Sequence, residues 1–283
     1  TWTYTFDFGK SGNNRDFRNS KGFDEKILVP FCPERKLSGV AYTDFINCMW
    51  YQRTISVPAE WDGKQVLLHF GAVDYEASIY IDGKEVMQHF GTGSSFEINI
   101  TKYVPAGKSA NLVVRVVDNL RSGMQPGGKQ CWNYYSGGCD YTRTTGIWQT
   151  VWMEPVDAQG LKNVFAIPDI DQQQLVVRPE FYAEANGNTL TVQVLAGKKV
   201  IATKTASAVN GANIVLPVKN PKLWSPENPN LYDVKYTVKN ASGKVIDEVS
   251  SYAGMRKIYC AGIVYYCVFI IAYYYIIQAC TCT

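Results

Sequence analysis

Short runs of alternating apolar and polar residues, separated by turn residues, dominate the first half of the chain. The clearest run spans residues 77–86, where Asp82 and Gly83 lie between two strand-forming segments. An Asp-Gly pair in this position is typical of a two-residue type I′ β-hairpin. Further strands are predicted at residues 50–58, 66–70, 96–101 and 112–117, whereas residues 1–50 show turn signals and few regular strands. Strands at this spacing predict a β-sandwich or jelly roll.

The hydrophobic pattern restarts after Pro155 with shorter runs separated by polar turns. Such a succession of short strands over about 100 residues is typical of an immunoglobulin-like β-sandwich. The predicted strands cover residues 175–178, 189–195, 213–216, 232–238 and 245–249. We therefore predict an all-β protein, with a jelly-roll β-sandwich at residues 1–156 followed by an immunoglobulin-like β-sandwich at residues 157–258.

Residues 259–283 differ from the rest of the chain, since they contain no Asp, Glu, Lys, Arg or Pro but four cysteines and six tyrosines. A membrane span needs ~20 apolar residues, yet Tyr favours the membrane interface over its centre. The β-branched and aromatic residues favour strands that enter a further domain. A frameshift would give the same abrupt change in composition. We expect the start of a further domain here and no membrane contact.

Charge and residue types argue against several functional classes. The formal net charge is only +3 over 283 residues, whereas nucleic-acid binding needs a concentrated basic face. Only two histidines occur, and one of them, His69, alternates within an apolar strand as a packed side chain does. The sequence has no CxxC pair, phosphate loop, dinucleotide fingerprint or Gly-x-Ser-x-Gly elbow. We expect no metal, no cofactor and no nucleic-acid partner.

The cysteines and the first residue bear on the cellular compartment. Cys131 and Cys139 flank a loop rich in Gly and Tyr and could form a disulfide, but free buried thiols fit the pattern equally well. The chain starts without Met and carries no signal peptide. A processed, exported protein and a trimmed chain would both show this combination. We expect export to the periplasm or the exterior rather than a cytoplasmic location.

The candidate binding chemistry lies in the loop before the last strand of the first domain. Sugar sites combine aromatic rings, which cover the apolar face of a pyranose, with polar groups that bind its hydroxyls. The loop offers both kinds of group: Trp132, Asn133, Tyr134, Tyr135, Asp140, Tyr141 and Arg143. Alternatively, the aromatic rings belong to the core and an Asp140–Arg143 ion pair holds the loop. No two carboxylates stand out as the pair that a glycosidase needs, so the residues alone favour a binding or scaffolding protein.

Several motifs, in the right order over residues 1–258, resemble glycoside hydrolase family 2, which includes β-galactosidases, β-glucuronidases and β-mannosidases. The run from Asp140 to Glu154 is similar to the end of the family's N-terminal jelly roll. Residues 50–55 and 68–86 look like a strand and a hairpin of that domain. The Leu-Trp-Ser-Pro-Glu element within residues 221–232 resembles one in the family's immunoglobulin-like domain, and residues 254–257 resemble the segment that leads into its barrel.

The resemblance implies the non-catalytic N-terminal portion of a retaining exo-β-glycosidase, most similar to β-galactosidases. In that family the acid/base and nucleophile glutamates lie on a (β/α)₈ barrel that follows these two domains. The resemblance therefore implies that this chain alone is inactive, that it supports the barrel of the same parent chain, and that the parent protein hydrolyses a carbohydrate substrate. A homo-oligomer is possible. A stand-alone carbohydrate-binding module with an immunoglobulin-like partner domain is the alternative.

The resemblance also suggests which residues bind substrate. In β-galactosidases, an acid three positions before the arginine of the closing motif reaches into the active site and binds sugar hydroxyls. Asp140 has this spacing before Arg143. Residues 29–34 resemble a second loop near the same mouth, which makes Glu34 a further candidate. We thus predict no catalytic residue in this chain and five substrate-binding residues: Asp140, Glu34, Arg143, Tyr141 and Trp132.

Overall fold

The computed structural model describes residues 1–258, and the expectations for residues 259–283 lie outside the described residues. The chain folds into two compact units, Thr1–Val156 (unit 1) and the part that begins at Asp157 (unit 2). Strands and short 3₁₀ turns make up the regular structure of residues 1–258, which confirms the all-β fold class. Within these residues, no helix has the length and apolar character needed to cross a membrane.

Unit 1 is built from antiparallel strands arranged in three sheets. The strands are β1 (Trp2–Phe6), β2 (Glu25–Ile27), β3 (Cys48–Ser56), β4 (Gln65–Phe70), β5 (Val73–Asp74), β6 (Glu76–Ile81), β7 (Lys84–Phe90), β8 (Phe96–Asn99), β9 (Ser109–Val117), β10 (Gly146–Ile147) and β11 (Val151–Val156). Short 3₁₀ turns lie at Phe17–Asn19, Lys36–Ser38, Ala59–Trp61 and Leu120–Ser122. The largest sheet has the order β2-β1-β3-β9-β6-β7, and β11-β4-β8 and β10-β5 form smaller sheets.

The core of unit 1 lies between the large sheet and the β11-β4-β8 sheet. Alternate residues of β4, such as Leu68 and Phe70, share one buried cluster with alternate residues of β9, such as Leu112 and Val114. The opposite face of β3 and β9 is also covered, because Trp50 and its neighbours pack there against Phe17 and Phe23. Burial on both faces explains why β9 is a nearly continuous apolar run.

Two local predictions about unit 1 are confirmed. Asp82 and Gly83 both have positive φ, 46° and 77°, and they join β6 to β7 as a type I′ hairpin requires. His69 is a packed side chain: its ring stacks on Trp152 with centroids 4.0 Å apart, and its Nε2 lies 3.1 Å from a carboxylate oxygen of Glu154.

Unit 2 is a second antiparallel sandwich. Its strands are β12 (Leu161–Asp169), β13 (Gln174–Phe181), β14 (Thr189–Ala196), β15 (Lys199–Ser207), β16 (Ile214–Pro217), β17 (Tyr232–Lys239) and β18 (Val245–Ala253). They form two sheets, β12-β13-β16 and β15-β14-β17-β18. Leu190, Val192 and Val194 of β14 share the core with Leu175 and Val177 of β13. A three-stranded sheet on a four-stranded sheet is the architecture of an immunoglobulin-like domain.

Candidate functional site

The polar loop identified from the sequence is closed at its base by backbone hydrogen bonds. The amide of Cys131 donates to the carbonyl of Tyr141 at 2.8 Å, and the amide of Tyr141 donates to the carbonyl of Lys129 at 2.9 Å. Gln130 and Tyr141 therefore lie side by side as a short parallel bridge. We call residues 131–143 the finger loop. These contacts hold the two ends of the finger loop next to each other.

Arg143 fills the interior of the finger loop. Its side chain is buried, and its guanidinium group donates hydrogen bonds to the backbone carbonyl oxygens of Cys131 (3.2 Å), Asn133 (2.6 Å), Tyr134 (3.2 Å) and Thr43. The same group lies 4.1 Å from the ring centroid of Phe45. The planar guanidinium suits this task because it offers five donors in a fixed geometry. The structure thus gives Arg143 a positioning role within the loop, behind its exposed surface.

The surface of the finger loop carries an acid and several aromatic rings. Asp140 is exposed, and within residues 1–258 its carboxylate forms no ion pair with Arg143 or another cation. The aromatic side chains are also exposed, by 54% for Trp132, 82% for Tyr135 and 52% for Tyr141. These rings are therefore outside the core. Exposed rings and a carboxylate on the same loop are groups that can bind the apolar face and the hydroxyls of a sugar.

Three buried carboxyl groups, which we call the acid cluster, lie where the loop joins the body of unit 1. They belong to Glu34, Asp74 and Asp118, each at most 5% exposed. Thr145 connects two of them: its amide lies 3.3 Å from Glu34 Oε2, and its hydroxyl donates to Asp118 Oδ2 at 2.8 Å. Gln130 binds the third, because its Nε2 donates to Asp74 Oδ2 at 2.8 Å.

Burial raises the pKa of all three carboxyl groups of the acid cluster. Burial raises the pKa of Asp74 to about 7, and the nearby Asp118 and Glu34 contribute in the same direction. Burial also raises the pKa of Glu34 to about 7, although hydrogen bonds from Thr145 offset part of the effect. The pKa of Asp118 is raised by burial as well. Glu34 Oε1 and Asp74 Oδ1 have no hydrogen-bond partner among the described residues, which further disfavours their ionised forms.

The structure separates the sequence-predicted site residues into two groups. Asp140, Tyr141 and Trp132 are exposed on the finger loop, whereas Glu34 and Arg143 are buried in its support. Sequence reasoning did not single out Asp74, Asp118 or Gln130. One signal was present: Asp74 and Asp118 each end or follow an apolar strand, where an acid can be buried without leaving the sheet.

No group of three or more His, Cys, Asp or Glu side chains in residues 1–258 is arranged to hold a metal ion. Cys131 is buried, Cys139 is exposed, and both are free thiols. Cys131 Sγ lies 3.3 Å from the carbonyl oxygen of Tyr135, to which it can donate a weak hydrogen bond within the loop.

Comparison with known proteins gives the same order of domains. Residues 38–153 match the family model described as "Glycosyl hydrolases family 2, sugar binding domain", and residues 160–256 match the model "Glycosyl hydrolases family 2". The chain is 26% identical over 225 residues to a β-galactosidase of Thermoanaerobacter pseudethanolicus, covering 76% of this chain and 29% of that enzyme. It is 32% identical over 216 residues to a putative β-glucuronidase of Formosa agariphila, covering 74% of this chain and 19% of that protein.

Solved structures show the same fold. A β-glucuronidase from Ruminococcus gnavus, in complex with D-glucaro 1,5-lactone, superposes with a TM-score of 0.72 at 20% identity, over 91% of this chain and 44% of that one. The chain thus spans less than half the length of each of these relatives. Since the two family models together cover most of the sequence and follow each other in the same order as its two sandwiches, the chain belongs to glycosyl hydrolases family 2.

Proposed function

We propose that this chain is the N-terminal, non-catalytic portion of a retaining exo-β-glycosidase, similar to β-galactosidases, and that its finger loop contributes to substrate binding. The relatives named as β-galactosidase and putative β-glucuronidase are more than twice as long as this chain, which leaves room for a catalytic barrel. On this proposal the barrel of the parent chain supplies both catalytic glutamates and the present chain supplies none.

The observation that carries the proposal is the contrast between the two parts of the finger loop. Its interior is held by the buried Arg143, which donates hydrogen bonds to backbone carbonyls of the loop, while Asp140 at its surface is exposed and forms no ion pair with a cation among the described residues. A carboxylate held in this way accepts hydrogen bonds from sugar hydroxyls, and a hydrogen bond to a charged group contributes about 1.5–3 kcal/mol. Trp132 and Tyr141 offer rings for the apolar face of the same sugar.

The test uses the complete protein that carries this sequence and a panel of nitrophenyl β-glycosides. With the best substrate, Asp140→Asn is expected to lower kcat/KM by about 10- to 100-fold, the loss that follows from removing a charged hydrogen bond. Asp24→Asn is the matched control, because Asp24 is an exposed aspartate of the same unit outside the loop. Equal kcat/KM for Asp140→Asn and wild type would remove Asp140 from the substrate site.

A second arm tests the assignment of catalysis to another part of the parent protein. The 283-residue chain is expected to show no hydrolysis of any nitrophenyl glycoside, and a measurable rate would overturn the proposal. Isothermal titration of the same chain with mono- and oligosaccharides separates the two functions considered from the sequence. Affinity that is lost in both Asp140→Ala and Trp132→Ala would instead favour a stand-alone carbohydrate-binding module.

A further inference from the structure

The side chain of Gln130 connects both ends of the finger loop to a buried carboxyl group. Its Nε2 donates to Asp74 Oδ2 at 2.8 Å, and its Oε1 accepts from the backbone amide of Thr144 at 2.7 Å. Its own backbone lies beside Tyr141 at the other end of the loop. Gln130 and Asp74 are both buried, so water cannot easily replace either hydrogen bond.

Thr145, which follows Thr144 in the chain, connects the end of the loop to the other two carboxyl groups of the acid cluster. Thr145 contacts Glu34 through its amide and Asp118 through its hydroxyl. Asp118 is also bound by Gln125, whose Nε2 donates at 2.8 Å and whose Oε1 accepts from the amide of Asn119. The exit from the finger loop therefore depends on carboxyl groups from three separate segments of unit 1.

We propose that Asp74 and Gln130 are positioning residues that brace the finger loop, and that the brace holds best while the acid cluster keeps its protons. The relevance of this brace to sugar binding rests on the proposed function. The brace itself does not, because it is a property of the loop and its support.

The groups around Asp74 oppose its ionisation, although the hydrogen bond that Gln130 donates acts in the opposite direction and offsets part of the effect. Two acids face it, Glu34 and Asp118, and both oppose its charge. Tyr51 and Cys32 lie close to Glu34 and are neutral, since burial raises the pKa of both. Arg143 acts on Asp118 but directs its hydrogen bonds to backbone carbonyls of the loop. Cationic compensation is therefore weak, and ionised carboxylates in the cluster would repel one another in a buried site.

The sign of the pH effect follows from the raised pKa values. Consider a carboxyl group whose pKa is about 7 in the closed loop and ordinary in the open loop. At a pH between these two pKa values, it keeps its proton in the closed state and loses it in the open state. Closure is then favoured most at low pH, weakens as pH rises from about 4.5 to 7, and changes no further above pH 7. Each such group can increase the population of the open loop by up to about tenfold per pH unit within this window.

Hydrogen exchange of the complete protein tests the brace. The amides of Cys131, Tyr141 and Thr144 are followed from pH 5 to pH 8.5, with correction for the intrinsic pH dependence of exchange. We expect their protection to fall by at least about tenfold between pH 5 and pH 7 and then to level off. Protection that is constant over this range would overturn the proposal, and this measurement on wild type needs no variant to fold.

Two variants locate the effect. Asp74→Asn keeps an acceptor for Gln130 but cannot ionise, so its exchange profile should lose part of the pH dependence, with Glu34 and Asp118 responsible for the rest. A variant profile identical to wild type would exclude Asp74. Asp169→Asn is the matched control, because Asp169 forms a similar Asp–Gln side-chain pair with Gln174 in unit 2, at 3.2 Å, and it should leave the loop unchanged.

Kinetics then separate the brace from the proposed function. If the finger loop binds sugar, KM of the complete protein rises between pH 5 and pH 7 in parallel with loop opening, and the Asp74→Asn variant shows a smaller rise. If exchange shows the predicted profile but KM does not follow it, the brace stands and the role of the loop in substrate binding fails. If exchange is flat, the brace fails whatever KM does.

Discussion

Replacing Gly146 by alanine tests how closely strand β10, which follows the finger loop, is fitted to the core. Gly146 begins β10 with φ at +79°, a conformation that residues with a side chain rarely adopt. An added Cβ would lie 2.1 Å from the hydroxyl oxygen of Tyr51 and 3.2 Å from the sulfur of Met49. Both neighbours are completely buried.

Three effects determine the size of the loss. The left-handed backbone costs about 1–2 kcal/mol for a residue with a Cβ, and the overlap with a packed core costs about 1–3 kcal/mol. Moving Tyr51 also removes the hydrogen bond that its hydroxyl accepts from the amide of Ile147 at 3.3 Å, worth about 1 kcal/mol. We expect Gly146→Ala to lower the free energy of unfolding of unit 1 by about 3–6 kcal/mol, a large part of the ordinary 5–15 kcal/mol.

Urea titration followed by tryptophan fluorescence measures this loss, because all the tryptophans except Trp224 lie in unit 1. Gly123→Ala is the matched control: Gly123 has φ at +71°, but a Cβ there would meet nothing within 4 Å. It should cost only about 1–2 kcal/mol. If the two variants lose the same free energy, the contact with Tyr51 does not contribute. In a Tyr51→Phe background, which removes the hydroxyl, the cost of Gly146→Ala should fall by at least about 1 kcal/mol.

Two further predictions concern single buried groups. Burial acts to raise the pKa of Asp7, but hydrogen bonds from Trp50, Gly12 and Ser11 outweigh it and lower that pKa. Asp7→Asn should therefore lower the free energy of unfolding by about 2–4 kcal/mol at pH 7. Urea titrations should show the difference from wild type shrinking as pH falls below about 4, whereas a difference independent of pH would contradict this. Arg143→Lys should increase chymotrypsin cleavage after Tyr134 or Tyr135 by about tenfold, since one ammonium group replaces several directed donors. Arg121→Lys is the control, because the Arg121 side chain is exposed and lies over the ring of Phe45. Equal cleavage of the two variants would refute the role of Arg143.

Strand positions could be predicted where the local apolar pattern or the turn residues gave a strong signal. The hairpin at Asp82-Gly83 and the buried strand β9 were both predicted, because their patterns arise from neighbours in the sequence. Several strands were missed, and for β1 and β15 the physical reason is clear. β1 lies among turn signals and is paired by β2 and β3, which come later in the chain. β15 is an edge strand whose side chains are mostly exposed, and its Val, Ile and Ala residues do not alternate regularly with Lys and Thr, so the pattern gives only a weak signal.

The finger loop was identifiable as a candidate site because its exposed groups are close in sequence. The roles of its individual residues were harder to predict from the sequence. Arg143 looked like a substrate ligand, and only the folded loop shows that its guanidinium group is used by carbonyl oxygens of the loop itself. The contact of Glu34 is likewise visible only in the folded structure, because Glu34 lies more than 100 positions before Thr145, whose amide it contacts.

The sequence by itself determined the all-β class, the succession of two sandwiches and the position of the finger loop. These features follow from the period of two in side-chain direction and from turn chemistry, and both are local. Only the tertiary structure decided that Glu34, Asp74 and Asp118 share one buried cluster beneath that loop. Their segments are distant in sequence, and the energy of a buried carboxyl depends on the neighbours that folding supplies.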